Sequence, residues 1–187
     1  MADVIVFHHA QGLTPGVLAF ADELRAAGHR VSTPDLYEGR TFETLQAGID
    51  HAEATGFDVI IGRGHAAVGD VPAGAMYVGF SLGVMPAQHL AQTRTGAGGA
   101  VLVSACVPPG HFGPWREGVR LQIHVQEEDE LGDVDVAREV SGAVPAAELF
   151  LYPGGRHLFA DRSLDDYDPA AAALFTQRVL AFLGDVP

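Results

Sequence analysis

The run Gly79-Phe-Ser-Leu-Gly83 holds one serine between two glycines. A serine hydroxyl becomes a strong nucleophile where a sharp strand-to-helix turn lifts its oxygen to the helix N-terminus. There, free N–H groups and the helix dipole favour developing negative charge. Glycines must flank it, because side chains would collide with neighbouring backbone. Residues 75–79 read as a strand and 82–95 as a helix, so Ser81 stands in that setting and the implied chemistry is attack on a carbonyl. A plain glycine-flanked turn has the same pattern, so the rest of the chain must supply the partners. The rival nucleophile, Cys106, lies at the end of an apolar strand, outside any such turn, and reads as a buried packing residue.

A serine of this kind needs a base, and the base needs an orienting acid. Of nine histidines, His157 follows a strand through the short glycine loop Tyr152-Pro-Gly-Gly-Arg-His157 and precedes the last helix. His29, His51 and His89 fall on or beside helices, His124 lies within a strand, and His111 belongs to an irregular loop. For the acid, Gln126-Glu-Glu-Asp-Glu130 follows another strand, and Asp129 is the choice on order and placement. Glu128, Glu130 and Asp133 remain alternatives. The backbone N–H of Leu82, together with that of Ala10 or Gln11 in the loop His9-Ala-Gln-Gly12, would complete an oxyanion hole.

These residues depend on an alternating framework. Strands are expected at 3–9, 30–34, 75–79, 99–105, 119–125 and 148–152, and helices at 15–28, 41–56, 82–95, 133–143 and 169–183. Residues 57–72 are ambiguous: Val59-Ile-Ile61 suits a strand, but the order of elements and His65-Ala-Ala-Val68 favour a helix weakened by glycines. The alternation predicts one α/β domain over 1–187, a mainly parallel sheet with helices on both faces. Function should then collect in loops beyond the strand C-termini, after His9, Gly79, Val125 and Tyr152.

Composition narrows the classes. The net charge of −13 argues against nucleic acid or an anionic membrane as partner. All eleven basic residues are arginine, so neither a lysine Schiff base nor a lysine-bearing phosphate loop can form. The single cysteine allows no internal disulfide and has no zinc-type spacing, so no metal site is expected. No apolar run approaches the ~20 residues that span a bilayer, and the opening residues read as a strand rather than a signal peptide; a cytoplasmic location is the default.

In order, Gln11-Gly-Leu-Thr-Pro15, Ala27-Gly-His-Arg-Val31, Thr33-Pro-Asp-Leu-Tyr37, the 79–83 turn, 124–129 and Tyr152-Pro-Gly-Gly-Arg-His-Leu-Phe159 resemble the dienelactone hydrolase family of α/β-hydrolases over nearly the whole chain. The resemblance implies a compact α/β-hydrolase fold without a large cap. It also implies hydrolysis of an ester or lactone through an acyl-enzyme, with no cofactor. Ser81 stands where the family's founding activity uses cysteine, as in serine-bearing members. His9 replaces an acidic residue common in the first loop, and Asp161 occupies the position of an arginine that helps hold a substrate carboxylate. A neutral ester or lactone is therefore the expected substrate.

Non-catalytic binding on the same fold, and a thioester or amide in place of the ester, are the competing readings. His9, Phe112 and Trp115 are expected to contribute to the substrate pocket, although the loop 107–115 could equally pack on its own aromatics. The protein is expected to act as a monomer or homodimer.

Overall fold

The computed structural model describes residues 1–145 and 147–184. Six strands form one sheet, β1 (Asp3–Phe7), β2 (Arg30–Ser32), β3 (Met76–Phe80), β4 (Gly99–Val103), β5 (Arg120–Gln126) and β6 (Glu148–Tyr152). Their order is β2-β1-β3-β4-β5-β6, and every neighbouring pair is parallel. Six helices accompany them: α1 (Pro15–Ala26), α2 (Leu45–Thr55), α3 (Phe57–Ala66), α4 (Val84–Thr93), α5 (Val134–Ala143) and α6 (Pro169–Gly184).

Both faces of the sheet are covered, which is why the central strands β1, β3 and β4 read as nearly unbroken apolar runs. On one face Ile5, Phe7, Tyr77, Leu102 and Ile123 pack with Ile60, Leu90 and Val140 from the helices. Alternate residues, Val4, Val6, Met76, Val78 and Val101, meet Phe20, Leu24, Phe175 and Val179 of α1 and α6 on the other.

Several boundaries move for identifiable reasons. β1 ends at Phe7 because the next two side chains bond within the loop: His8 Nδ1 meets the His9 carbonyl at 2.8 Å, and the Gln11 N–H donates to His9 Nδ1 at 3.2 Å. The second helix starts at Leu45, capped by the Thr44 hydroxyl, which accepts from the Ala47 N–H at 3.2 Å. Thr41, expected to begin it, bridges Gly12 instead. The ambiguous stretch is helical, as the order of elements favoured. Gly64, one of the glycines that weaken it, lets α3 approach α4: a Cβ there would lie 2.5 Å from Pro86 Cβ. The turn after β3 passes through one 3₁₀ step, Ser81–Gly83, before α4 begins.

Candidate active site

Ser81 has φ +47°, a left-handed conformation for a non-glycine residue and a sign of local strain. The surrounding backbone enforces it. A Cβ on Gly79 would lie 2.3 Å from the Gly83 carbonyl oxygen, and one on Gly83 only 2.4 Å from that of Phe7. No larger residue fits either place while β3 runs beside β1 and turns this tightly into α4.

The Ser81 Oγ lies 2.7 Å from His157 Nε2, and His157 Nδ1 lies 2.8 Å from Asp129 Oδ2. Asp129 and His157 are 6% and 7% exposed, so the pair is largely shielded from water. The other Asp129 oxygen accepts the Leu131 N–H at 3.0 Å, which fixes the carboxylate plane. With Asp129 ionised, Nδ1 carries the proton and Nε2 can accept the serine's. The loops after β3, β5 and β6 thus meet at the C-terminal edge of the sheet, across the intervening β4. Of the acids at 127–130, the one that reaches the imidazole is Asp129.

Gln126, which the sequence reading did not single out, holds the base in place. Fully buried at the end of β5, its Oε1 accepts the Arg156 N–H at 2.6 Å, one residue before His157. Glu128 N–H donates to the Gly154 carbonyl at 2.8 Å, so the acid's loop and the base's loop are tied together directly. Its place at the C-terminal end of β5, where the loop carrying the acid begins, was the available signal.

The loop after β1 is clamped from several sides. Gln11 Nε2 donates to the Phe42 and Glu43 carbonyls at 3.1 and 3.3 Å, and the Phe42 N–H donates to the Gln11 carbonyl at 2.9 Å. The Gln11 N–H is engaged by His9, which leaves Ala10 as the loop residue whose amide matches the expected donor. Leu82 follows Ser81 at the entry to α4.

His9 turns away from the surface. It is 0% exposed, with Nε2 2.8 Å from Asp161 Oδ2, because the loop folds its ring inward. Asp161 also accepts the Thr14 hydroxyl and, at 2.6 Å, the Ser163 hydroxyl. Burial raises its carboxyl, but these bonds from His9, Ser163 and Thr14 outweigh it and hold the group down to about 2.

Phe112 and Trp115 also sit elsewhere. Phe112 stacks edge-on against His89 and His111, and the Trp115 indole donates to the Val119 carbonyl at 2.7 Å. Trp115 lines a hollow of about 270 Å³ with Gln88, Gln92, Val140 and Val144, in which neither Ser81 nor His157 takes part. Phe112 thus meets α4 through His89, and Trp115 is held by the backbone just before β5.

The cleft beside His157 measures about 390 Å³ and is walled by Leu45, Glu128, Asp129, Glu130, Leu131, Gly155 and Asp166. It carries four carboxylates and no basic side chain other than the imidazole, and Ser81 is not part of its wall. Burial, with Asp133 adding to it, pushes the Cys106 thiol up to about 12, so this cysteine stays protonated. Burial also pushes His124 down to about 3, with Arg178 contributing, and its Nδ1 is occupied by the Tyr152 hydroxyl at 2.8 Å.

A parallel sheet covered on both faces, with a strained serine on the strand-to-helix turn and an acid and a histidine after later strands, defines an α/β-hydrolase fold. The family model of the dienelactone hydrolase family matches residues 1–186, and the chain belongs to that family.

Solved structures agree on the fold. A dienelactone hydrolase-like promiscuous phosphotriesterase from metagenomic libraries superposes with a TM-score of 0.75 at 16% identity, covering 100% of this chain and 87% of that one. A dienelactone hydrolase from Anabaena variabilis gives 0.71 at 16% identity, covering 99% and 87%. A bromoperoxidase from Bacillus anthracis gives 0.71 at 14%, covering 98% and 92%. No protein of curated function matches the sequence. Among the described residues, no helix is long and apolar enough to cross a membrane, and no three potential ligands cluster to hold a metal ion.

Proposed function

We propose that the protein is a serine hydrolase that cleaves a small neutral carboxylic ester or lactone through an acyl-enzyme. The observation that carries this reading is the continuous hydrogen-bonded chain from Ser81 Oγ through His157 to Asp129, with contacts of 2.7 and 2.8 Å. His157 Nε2 takes the hydroxyl proton as Ser81 Oγ attacks the carbonyl carbon. The carbonyl π electrons move to oxygen, and the backbone N–H groups of Leu82 and Ala10 receive the oxyanion. Collapse breaks the bond to the leaving alkoxide, which takes the proton from His157. Water then attacks the acyl group with His157 again as base, releasing the acid and restoring Ser81. Asp129 stays ionised throughout, orienting the imidazole and stabilising its charged form.

Membership of the dienelactone hydrolase family supports the hydrolytic class, and the acidic cleft supports a substrate without a carboxylate. The test is turnover of p-nitrophenyl acetate by the wild type and by Ser81→Ala, with acid-quenched samples analysed by mass. The proposal expects turnover in the wild type alone and a transient acetyl group on Ser81. Equal rates in both proteins would contradict it.

A further inference from the structure

We infer that His9 is a positioning residue which, with Asp161, sets the oxyanion loop so that the Ala10 amide faces the serine. The inference rests on the hydrolase reading above. A backbone N–H can only donate, so the Gln11 N–H bond to His9 Nδ1 places the ring proton on Nε2. Nε2 then donates to Asp161 Oδ2 at 2.8 Å, and the tautomer is locked from both sides. The Asp161 carboxylate completes its acceptor role with the Thr14 hydroxyl and with the Ser163 N–H and hydroxyl at 2.8 and 2.6 Å.

The arrangement joins the two halves of the site. Asp161 belongs to the turn just after His157, its N–H donating to the Leu158 carbonyl at 3.0 Å. Thr14 caps α1, its hydroxyl accepting the Val17 N–H at 3.4 Å, and closes the loop that carries Ala10. A single carboxylate therefore registers the base's segment against the oxyanion segment. His9 draws the Gln11 amide inward, so the donor left to the site is one residue earlier. A buried carboxylate bonded to a neutral ring adds little net stability over well-packed apolar side chains of similar volume, because its desolvation offsets the bonds it accepts. What the pair supplies, and an apolar pair would not, is a fixed direction for one amide.

The test compares wild type, His9→Phe and His9→Gln. Glutamine can present a carbonyl oxygen to the Gln11 N–H and an N–H to Asp161; phenylalanine can do neither. The readouts are kcat and KM for p-nitrophenyl acetate, and the rate at which a fluorophosphonate labels Ser81, with folding checked by circular dichroism. His9→Phe should lose about 100-fold in kcat and in labelling rate with KM within about threefold, the scale of a misdirected oxyanion donor. His9→Gln should recover most of that loss.

Folded His9→Phe with near wild-type kcat, or His9→Gln no better than His9→Phe, would overturn the positioning role while leaving the hydrolase reading intact. Wild-type protein that takes no label on Ser81 would overturn both. If His9→Phe fails to fold, His9→Gln decides the matter alone: near wild-type kcat supports the role, and a loss of about 100-fold overturns it.

Discussion

Gly48 of α2 lies directly against the carbonyl of Ala10: a Cβ on Gly48 would stand 2.0 Å from that oxygen and 3.0 Å from the Gln11 nitrogen. The helix thus backs the peptide that follows the proposed oxyanion donor. Gly48→Ala cannot be accommodated without moving the loop. It should lower kcat for p-nitrophenyl acetate by about tenfold or more, a fraction of the loss for a deleted donor. A Gly48→Ala protein with wild-type kcat would show that the Ala10 amide is not used.

Selectivity should follow charge. The cleft beside His157 presents Glu128, Glu130 and Asp166 with no arginine in its wall. A p-nitrophenyl ester bearing a free carboxylate, such as the succinate half-ester, should show kcat/KM about tenfold below the neutral butyrate ester at low salt. Added salt should narrow the gap, because exposed charges are screened beyond ~10 Å at 0.1 M. Equal kcat/KM values at low salt would place the acyl group elsewhere.

Trp115 should matter for stability and not for choice of substrate. Its indole bonds the Val119 carbonyl at 2.7 Å, and it lines a hollow apart from the serine. Trp115→Ala loses packing and leaves that carbonyl without its partner, for a cost of about 2 kcal/mol in urea unfolding. Ester preference should stay unchanged. A shifted preference with an unchanged urea midpoint would return this residue to the pocket.

Acid should weaken the protein through Asp161. Its carboxyl is held at about 2, below the ordinary 3.8, so the folded state favours the charged form. The stability this contributes is fully present above about pH 4 and is lost as pH falls through about 2. In Asp161→Asn, the fall of the urea midpoint between pH 4 and 2 should be shallower than in the wild type. Parallel curves would assign the acid sensitivity to other carboxylates.

The sequence made the framework legible where one physical rule dominates. Continuous apolar runs mark strands buried on both faces, and the 79–83 glycines are required by backbone contacts of 2.3 and 2.4 Å. Asp129 and His157 could be named because chain order and strand ends fix where such residues must emerge. What sequence could not show was side-chain direction. His9 looked like a pocket residue from its place after β1, yet its ring turns inward to a carboxylate 152 residues away. Trp115 and Phe112 sit in a loop after a strand end, but their rings are consumed by local partners. Gln126 escaped notice because its role is to fix the loop of another residue.

The most direct measurement is reaction of the folded protein with a fluorophosphonate, read by intact and peptide mass. The Ser81–His157–Asp129 chain predicts one adduct, on Ser81, absent in Ser81→Ala and slowed by about 10³-fold or more in His157→Ala. An adduct elsewhere, none at all, or unchanged labelling in His157→Ala would contradict an activated serine at this site.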